Sequence, residues 1–532
     1  MTIHSLPLTW YERPQYRPLL PTGDSESWFP LVREELMLRS LSPGDCEKRA
    51  ASGIPDREGL LAAFELTYED WRLPRAPEAM AALDRLSQDQ TLCVVTGQQP
   101  GFLGGPLYVL YKALTAIALS RWVETSCGQP CVPVFWVAGE DHDIDEVRSN
   151  RLPTGEVLSL SHPTGRTPLS DLAIGSPEEA VIDEFLSLVS SMPHAELTEE
   201  LVGQYRGRNV ASGFAALLAD LLGRYGLVFL NPEKLRPLAT PLIRRCIEEP
   251  EEVVKRIEEG SAELSASGLK PFVASRLPLF LVREGSRDHL SPGENGLVVD
   301  GGGPELDRGD LLELLEKEPE RFSSGALLRP LIQDHLLPSL ATVGGPAEVG
   351  YFAQLGPLSR WLGIEKPRIL LRFQATVLAA KGLDGWKQLG GDTDSLSGAL
   401  SPEELVPAAD ERGELEELRI IRERLSSLGS ELDSEQSQGS RGVKRGLRTA
   451  QESLARLEGR IRKLRARGDP AAWEKASSTW SQVFPDDKLQ ERGWGFIQLI
   501  AEYGPGFIEN ALEEIGRDPF SLAHRLIEIE SR

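Results

Sequence analysis

The chain has 532 residues, which is enough for about three to four domains at roughly 150 residues each, and 40% hydrophobic with 26% charged residues is an ordinary globular composition. A formal net charge of -23, from 58 basic and 81 acidic side chains, disfavours nucleic acid and anionic membranes as partners. Five scattered cysteines exclude a disulfide framework and favour the cytoplasm. No signal pattern or membrane-length apolar run is found, so we expect neither export nor membrane insertion.

A βαβ unit is predicted between residues 91 and 139. The β-branched run 91–96 precedes a Gly/Pro-rich loop, a helix that begins at Pro106, and the apolar run 132–138. A strand that is apolar on both faces indicates a parallel sheet covered by helices on both sides. Further core strands are predicted at 227–230, 278–282, 297–299 and 369–371.

These runs predict a doubly wound α/β core over residues 1–380. Two stretches between the runs are too long for simple crossovers and are rich in Gly, Pro and Ser. We interpret them, at about 150–210 and 255–330, as insertions that cap the core.

A helical hairpin is predicted over residues 381–480. From Val443 to Leu464, apolar or small residues recur at alternating spacings of four and three, which is a heptad seam. A less regular stripe runs from Leu415 to Leu432, and the segment 434–442 between the two has turn composition. The arms would therefore pair antiparallel.

The charges of the two arms support this pairing. Residues 401–435 carry 11 acidic and 4 basic side chains, whereas 441–475 carry 11 basic and 4 acidic ones. A solvated charged face on each arm would give the same composition. Residues 481–532 are predicted to be helices that return to the core or to the coiled coil.

The first segment that could carry chemistry follows the strand at 91–96 and reads TGQQPGFLGGPLYVLYK. Backbone amides of a glycine-rich turn before a helix can hold a phosphate or carboxylate, and Lys112 could add a cation. The loop matches neither the P-loop nor the dinucleotide fingerprint. A tight strand-to-helix turn is an equal alternative.

The second segment, GEDHDIDE at 139–146, directly follows the apolar strand. Ligands of open parallel sheets bind outside the carboxyl ends of the strands. Its crowded carboxylates could hold a divalent metal, cap the following helix, or orient His142 for acid/base or charge-stabilising work.

The third segment, 329–354, places polar residues on both sides of a Gly-Gly-Pro. It fits a polar substrate wall, although capping and packing would explain each residue singly.

These segments, TGQQPGFLGGPLYVLYKA, PVFWVAGEDHDIDEV and LLRPLIQDHLLPSLATVGGPAEVGYFAQL, resemble the bacillithiol biosynthesis cysteine-adding enzymes, and FPDDKLQER with AEYGPGFIENAL near the end agrees. The resemblance implies a ligase that joins L-cysteine to glucosaminyl-malate in the last step of bacillithiol synthesis. It also implies a Rossmann-like core with connecting-peptide insertions, as in class I aminoacyl-tRNA synthetases, and an α-helical coiled-coil domain that forms a homodimer. The signature motifs of those synthetases are absent from this sequence.

Amide formation from a free carboxylate needs activation, most simply by ATP, with ADP or AMP as product and no tightly bound metal. The residues predicted for catalysis are His142, Asp141, Asp143 and Lys112. Those predicted for nucleotide or phosphate binding are Thr96, Gly97, Gln98, Gln99, Gly104, Gly105, Pro106 and Tyr108. Those predicted for substrate binding are Glu140, Arg329, Gln333, Gly344, Gly345, Glu348, Tyr351 and Gln354.

Two other functions are compatible with the sequence. A metal-dependent hydrolase or nucleotidyltransferase would use the GEDHDIDE carboxylates for a divalent ion. A coiled-coil adaptor would keep only a vestigial nucleotide-binding core.

Overall fold

The computed structural model describes residues 2–6, 38, 40–162, 165–267, 269–379 and 468–529, with single positions and short runs between 413 and 464. The strands are β1 (Thr2–Leu6), β2 (Leu92–Gln98), β3 (Cys131–Val137), β4 (Ser149–Arg151), β5 (Val157–Ser159), β6 (Val228–Leu230), β7 (Leu279–Arg283), β8 (Ser286–Pro292), β9 (Gly296–Val299), β10 (Glu305–Asp307), β11 (Phe322–Ser324), β12 (Ser339–Gly344), β13 (Ile369–Leu371), β14 (Ala375–Ala379) and β15 (His524–Ile529).

The helices are α1 (Pro43–Ser52), α2 (Arg57–Asp70), α3 (Pro77–Leu86), α4 (Leu107–Cys127), α5 (Ile144–Val147), α6 (Ser176–Val189), α7 (Ala195–Gly203), α8 (Val210–Leu222), α9 (Arg236–Glu248), α10 (Pro250–Ala266), α11 (Arg308–Lys317), α12 (Arg329–Leu336), α13 (Pro346–Ala353), α14 (Gly356–Leu362), α15 (Pro470–Val483), α16 (Gln490–Gly493), α17 (Ile497–Tyr503) and α18 (Pro505–Arg517). The chain forms two compact units. The larger contains residues 11–375 and 491–524, and the smaller contains 1–10, 376–490 and 525–532.

The larger unit is built on a five-stranded sheet in the order β13-β12-β2-β3-β6, in which every neighbouring pair is parallel. Along the chain, the sheet grows from β2 to β3 and β6, and then continues with β12 on the other side of β2. The winding direction therefore reverses between β2 and β12, which is the topological switch point where such sheets bind ligands. The predicted doubly wound α/β core is confirmed.

Helix α4 is the central helix of this unit. Fourteen of its residues are buried, because it packs on β2 and β3 on one side and on α18 on another. A helix covered on several sides carries no amphipathic stripe, and its sequence is apolar nearly all round. The strand β3 is buried at all seven positions, as expected for a strand with parallel neighbours on both sides.

The predicted core strands at 278–282 and 297–299 are wrong. They correspond to β7 and β9, which belong to a separate antiparallel sheet in the order β10-β9-β8-β7-β11. Short apolar runs do not distinguish parallel from antiparallel pairing. The core strand that the prediction lacked is β12, whose sequence SLATVG is small and partly polar although every residue in it is buried.

The smaller unit contains a three-stranded sheet in the order β1-β15-β14 and the helix α15. Six of the seven predicted heptad positions are helical: Leu447, Ala450, Leu454, Leu457, Ile461 and Leu464. The turn predicted at 434–442 and the seam position Val443 lie outside the described residues, so the hairpin stays a prediction.

A buried ion pair joins Arg372 and Glu491, two residues of the larger unit. They flank the stretch 376–490, which belongs to the smaller unit. Arg372 Nη1 and Nη2 donate to the Glu491 carboxylate at 2.8 and 2.6 Å, and the two side chains are 3% and 1% exposed. Neither charge has water to solvate it, so each requires the other.

Replacing Glu491 by Gln is expected to lower the free energy of unfolding by about 3–5 kcal/mol, because it leaves the Arg372 charge buried without its counter-ion. The double variant Arg372→Met with Glu491→Met should lose less than the single variant, since no uncompensated charge remains. Urea unfolding followed by tryptophan fluorescence measures both. A double variant that is less stable than Glu491→Gln contradicts the assignment.

Candidate active site

A cavity of about 690 Å³ opens at the switch point of the larger unit. Many of the residues predicted for the site line it, although they come from three separate segments of the chain. They are Gly97, Gln98, Gln99, Tyr108, Lys112, Glu140, Asp141, His142, Arg329, Gly345, Glu348 and Tyr351. The parallel sheet brings most of them together, because they end or follow β2, β3 and β12, whose carboxyl ends share one edge; Arg329 comes from α12, which precedes β12.

Lys112 fixes the two loops of the switch point and is only 2% exposed. Its ammonium donates to the Gly97 carbonyl oxygen and to Gln98 Oε1, each at 2.9 Å, and forms an ion pair with Glu348. Burial raises the pKa of Glu348, but the positive charges of Lys112 and Arg329 more than offset this and hold it below its usual value. The three Lys112 donors are thus used within the protein.

The second half of the glycine-rich loop is a buried turn. Gly104 N donates to Tyr205 Oη at 3.1 Å, Gly105 N donates to the Phe102 carbonyl, and the first helical amide, Leu107 N, donates to the Trp494 carbonyl. These amides are committed inside the fold and are not available to a phosphate. Accordingly, three residues predicted for phosphate binding do not line the cavity: Gly104, Gly105 and Pro106.

Thr96 is likewise structural, since its hydroxyl donates to the Val343 carbonyl at 3.0 Å and joins β2 to β12. The part of the loop that does reach the cavity is Gly97–Gln99. The tight-turn alternative therefore describes the second half of the loop, and ligand binding stays a prediction for Gly97–Gln99.

The acidic loop after β3 is neutralised by arginines. Glu140 is 6% exposed and accepts from Arg236 Nη2 at 2.8 Å and from Ser323 Oγ at 2.9 Å. Burial raises the pKa of Glu140, but Arg236 and Arg287 hold it below its usual value. Glu140 is therefore an ionised anchor between the core and the antiparallel sheet.

Asp141 and His142 follow Glu140 in this loop and also line the cavity. Asp141 accepts from Gln99 Nε2 at 2.8 Å and lies 4.0 Å from Arg287 Nη1. Burial raises the pKa of Asp141, but Arg287 and the Gln99 hydrogen bond lower it more. His142 Nδ1 lies 3.8 Å from Asp141 Oδ1, too far for a hydrogen bond, and it has no partner among the described residues.

The remaining acidic residues of the loop do not converge on one point. Asp143 is exposed and does not line the cavity, whereas Glu146 lies at its rim, where burial and the charges of Asp143 and Asp141 raise its pKa. Within the described ranges, no group of three or more His, Cys, Asp or Glu side chains is arranged to hold a metal ion.

The third segment splits between the cavity and the core. Arg329 Nη2 donates to Tyr351 Oη at 2.6 Å, and both residues line the cavity. Gln333 instead donates to Thr342 Oγ1 at 2.7 Å, and Gly344 is a buried strand residue whose carbonyl accepts from Arg372 N at 2.9 Å. Gln354, which is 1% exposed, binds the backbone at Phe272 and Val273. The last three residues do not line the cavity.

Sequence reasoning missed the arginines that line the cavity from distant segments. They are Arg276, Arg287, Arg372 and Arg492. Arg287 donates to Ser323 Oγ and the Ser324 carbonyl, each at 2.9 Å, and lies 3.8 Å above the ring of Phe280. No local pattern marks these residues, because the fold rather than a motif brings them to the switch point. Only Arg492 lies in a segment, FPDDKLQER, that carries the resemblance.

A doubly wound parallel sheet with a cavity at its switch point defines the class of Rossmann-like α/β proteins. The family model for the N-terminal Rossmann-like domain of the bacillithiol biosynthesis protein BshC matches residues 42–373. The model for the C-terminal coiled-coil domain of BshC matches residues 414–529. The chain belongs to the BshC family, and the resemblance found in the sequence is confirmed.

Two relatives illustrate the extent of the similarity. A protein of Koribacter versatilis is 32% identical over 500 residues, covering 89% of this chain and 90% of its own, and one of Salinibacter ruber is 29% identical over 515 residues, covering 91% and 93%. Both are named "Putative cysteine ligase BshC". Among solved structures, Thermus thermophilus arginyl-tRNA synthetase aligns over 86% of this chain and 83% of its own at 11% identity. The TM-score of 0.18 is too low to indicate a shared fold.

In the part of the chain that the structure describes, no helix has both the length and the apolar character needed to cross a membrane.

Asp334, beside the predicted Gln333, is expected to make stability depend on pH. Burial raises the pKa of its carboxyl to about 7, against opposing effects of Ser339 and Arg49. The folded pKa lies above the unfolded one, so stability falls as pH rises from about 4 to about 7 and is then constant. Asp334→Asn should therefore stabilise the protein at pH 8, by at most about 4 kcal/mol at 1.36 kcal/mol per pKa unit, and have little effect at pH 4.

Urea unfolding between pH 4 and pH 8 measures this difference. The exposed Asp84, replaced by Asn, is the matched control and should shift stability equally at both ends of the range. An Asp334→Asn variant whose stability difference from the wild type is independent of pH contradicts the prediction.

Proposed function

We propose that this protein is a cysteine ligase that joins the carboxyl group of L-cysteine to the amino group of glucosaminyl-malate, the last step of bacillithiol synthesis. Membership of the BshC family and the names of the relatives support the ligase activity. The cavity at the switch point has a volume suited to small polar molecules. The observation that carries the proposal is the position of His142 at the wall of this cavity, beside Asp141.

His142 is assigned the proton transfer of amide formation. An amine attacks a carboxyl carbon only when it is neutral, and it must lose a further proton as the C–N bond forms. Asp141, which accepts a hydrogen bond from Gln99 and lies near Arg287, is beside the His142 ring, with Asp141 Oδ1 3.8 Å from His142 Nδ1. One oxygen of the cysteine carboxylate leaves as the amide forms, so the reaction needs a co-substrate that accepts this oxygen.

ATP is the proposed co-substrate, with ADP or AMP as product, and it would supply the activation of the carboxylate. The positive charge of the cavity lining supports binding of this polyanion. Five arginines line the cavity: Arg276, Arg287, Arg329, Arg372 and Arg492. A protein with a net charge of -23 attracts anions only where such cations are concentrated. The Gly97–Gln99 segment, rather than the buried Gly104–Pro106 turn, is the part of the loop that can approach such a ligand.

The acidic rim is assigned to the cysteine ammonium. Glu146 at the rim lies near Asp141 and Asp143, and their mutual repulsion, added to burial, raises its pKa. A cationic amine placed among these carboxylates would relieve the repulsion. Glu140 and Glu348 are less suited to this role because arginine and lysine partners already neutralise them.

Replacing His142 by Ala is expected to lower kcat by a factor of about 10²–10⁴, the usual contribution of a general acid or base. Purified protein is incubated with L-cysteine, glucosaminyl-malate and ATP, and bacillithiol is quantified by mass spectrometry. Asp145→Asn is the matched control from the same loop, because Asp145 is exposed and pairs with Arg148 at 3.3 Å. It should keep its activity within about a factor of two.

A wild-type protein that forms no bacillithiol, together with unchanged cellular bacillithiol after gene deletion, overturns the ligase proposal. Nucleotide hydrolysis that depends on a divalent metal and proceeds without cysteine would instead favour the hydrolase alternative. Full activity of His142→Ala would remove that residue from the mechanism and leave the overall reaction standing.

We also propose that the protein acts in the cytoplasm as a homodimer through its coiled-coil domain, as the family match at 414–529 supports. Leu454 is a helical and partly buried position of the heptad pattern. Leu454→Asp should convert the dimer to a monomer in light scattering, because it places a charge in the seam. The control is Ser453→Asp, one position away. A dimer that survives Leu454→Asp contradicts this mode of association.

A further inference from the structure

One wall of the cavity is the irregular segment 269–278, which precedes β7. Within it, Val273, Ala274, Arg276, Leu277 and Pro278 line the cavity. The segment is neither helix nor strand, so its position depends on the side chains that hold it.

Gln354 holds the start of this segment. Its carboxamide oxygen accepts from Phe272 N at 3.0 Å and from Val273 N at 3.1 Å, and its nitrogen donates to the Val273 carbonyl at 3.0 Å and to Ser261 Oγ at 2.9 Å. All four hydrogen-bonding positions of the buried carboxamide are filled. A carboxylate could not make the two donations, and an apolar side chain could make none of the four bonds.

Further contacts hold the rest of the segment. The Phe272 ring lies against Gly350, where an added Cβ would come within 1.8 Å of it. Ser275 Oγ is 3.1 Å from Ser261 Oγ, and His289 Nε2 is 2.7 Å from the Leu277 carbonyl. Each residue from 272 to 277, apart from Ala274 and Arg276, thus has a specific contact with a neighbouring element.

Arg276 differs from three of the other four arginines that line the cavity; the fourth, Arg492, is also exposed and lies 6.0 Å from the centre of the Tyr108 ring. Arg287, Arg329 and Arg372 all donate to groups of the protein. Arg276 is exposed and makes no hydrogen bond or ion pair within the described part of the chain. Its positive charge contributes to the lowered pKa of Asp300. A fixed backbone thus carries an uncommitted guanidinium at the cavity wall.

We infer that Arg276 is the residue that selects the amine substrate by binding a carboxylate of its malyl group, and that Gln354 is the positioning residue that fixes Arg276. This rests on the proposed function. A guanidinium binds a carboxylate through two parallel N–H···O bonds. This geometry distinguishes a substrate that has a carboxylate from one that lacks it. Gln354, which was predicted to bind substrate, thus acts indirectly, through the segment at Phe272 and Val273 that it holds.

The first experiment compares glucosaminyl-malate with methyl glucosaminide, which has the same amine and no carboxylate. Arg276→Ala should raise KM for glucosaminyl-malate by about 10–100-fold with kcat nearly unchanged, the pattern of lost substrate binding. KM for L-cysteine and kcat/KM for the methyl glucosaminide should change less than about twofold. Arg276→Lys should recover part of the loss, because it keeps the charge without the fork.

The second experiment tests the positioning role. Gln354→Leu should raise KM for glucosaminyl-malate in the same direction, and the double variant with Arg276→Ala should be no worse than Arg276→Ala alone. Gln333→Leu is the matched control, since Gln333 is also buried but bonds only within the core. Additive effects of Arg276→Ala and Gln354→Leu, or equal losses for both amine substrates, would overturn the inference.

Direct binding separates this inference from the ligase proposal. Calorimetric titration with L-malate, without cysteine or nucleotide, should show at least about tenfold weaker binding to Arg276→Ala than to the wild type. Equal L-malate binding by both proteins overturns the inference even if bacillithiol is formed. Weaker binding by the variant, with no bacillithiol from the wild type, keeps the carboxylate site and removes the ligase.

Discussion

The switch point depends on one buried cation. Lys112 lies where the strand order reverses, and it binds the Gly97 carbonyl and the Gln98 side chain from one side of that crevice and the Glu348 carboxylate from the other. An open parallel sheet leaves the loops after β2 and β12 adjacent but not joined. The ion pair joins them across the crevice, and burial makes it costly to break because either charge alone would be left without water. The positions of Gly97–Gln99, Gly345 and Glu348 at the cavity follow from this contact.

Charge neutralisation explains how an acidic protein can present a cavity suited to anions. The buried carboxylates Glu140 and Asp141 face Arg236 and Arg287, and Arg287 belongs to the antiparallel sheet between β6 and β12. That sheet is therefore part of the site, since without it the acidic loop would carry uncompensated charge at the mouth of the crevice. Arg276 lies outside this pairing, and it is the arginine to which we assign the substrate carboxylate.

The sequence was informative where chemistry is local and uninformative where it depends on distant segments. The runs that form β2 and β3 and the loops that follow them could be predicted, because burial between parallel neighbours demands apolar residues and the sheet edge collects the loops. The strand β12 could not, because small polar residues such as Thr342 are tolerated where neighbouring strands supply the hydrogen bonds. Glutamine was similarly ambiguous: Gln99 faces the cavity, whereas Gln333 and Gln354 are buried clamps, and only the surrounding backbone distinguishes these roles.

The glycine-rich loop shows why a motif-like segment needs its tertiary context. Gly104 has φ +83°, and an added Cβ would lie 2.5 Å from the Phe496 ring, while the first amide of α4 donates to the Trp494 carbonyl. These glycines therefore allow a close approach of the chain around residues 494–496, rather than of a phosphate. It follows that the start of α4 is completed by residues from more than 380 positions later in the chain. The Rossmann-like core and its loop thus reach their final geometry only when the segment 491–524 has returned to the larger unit.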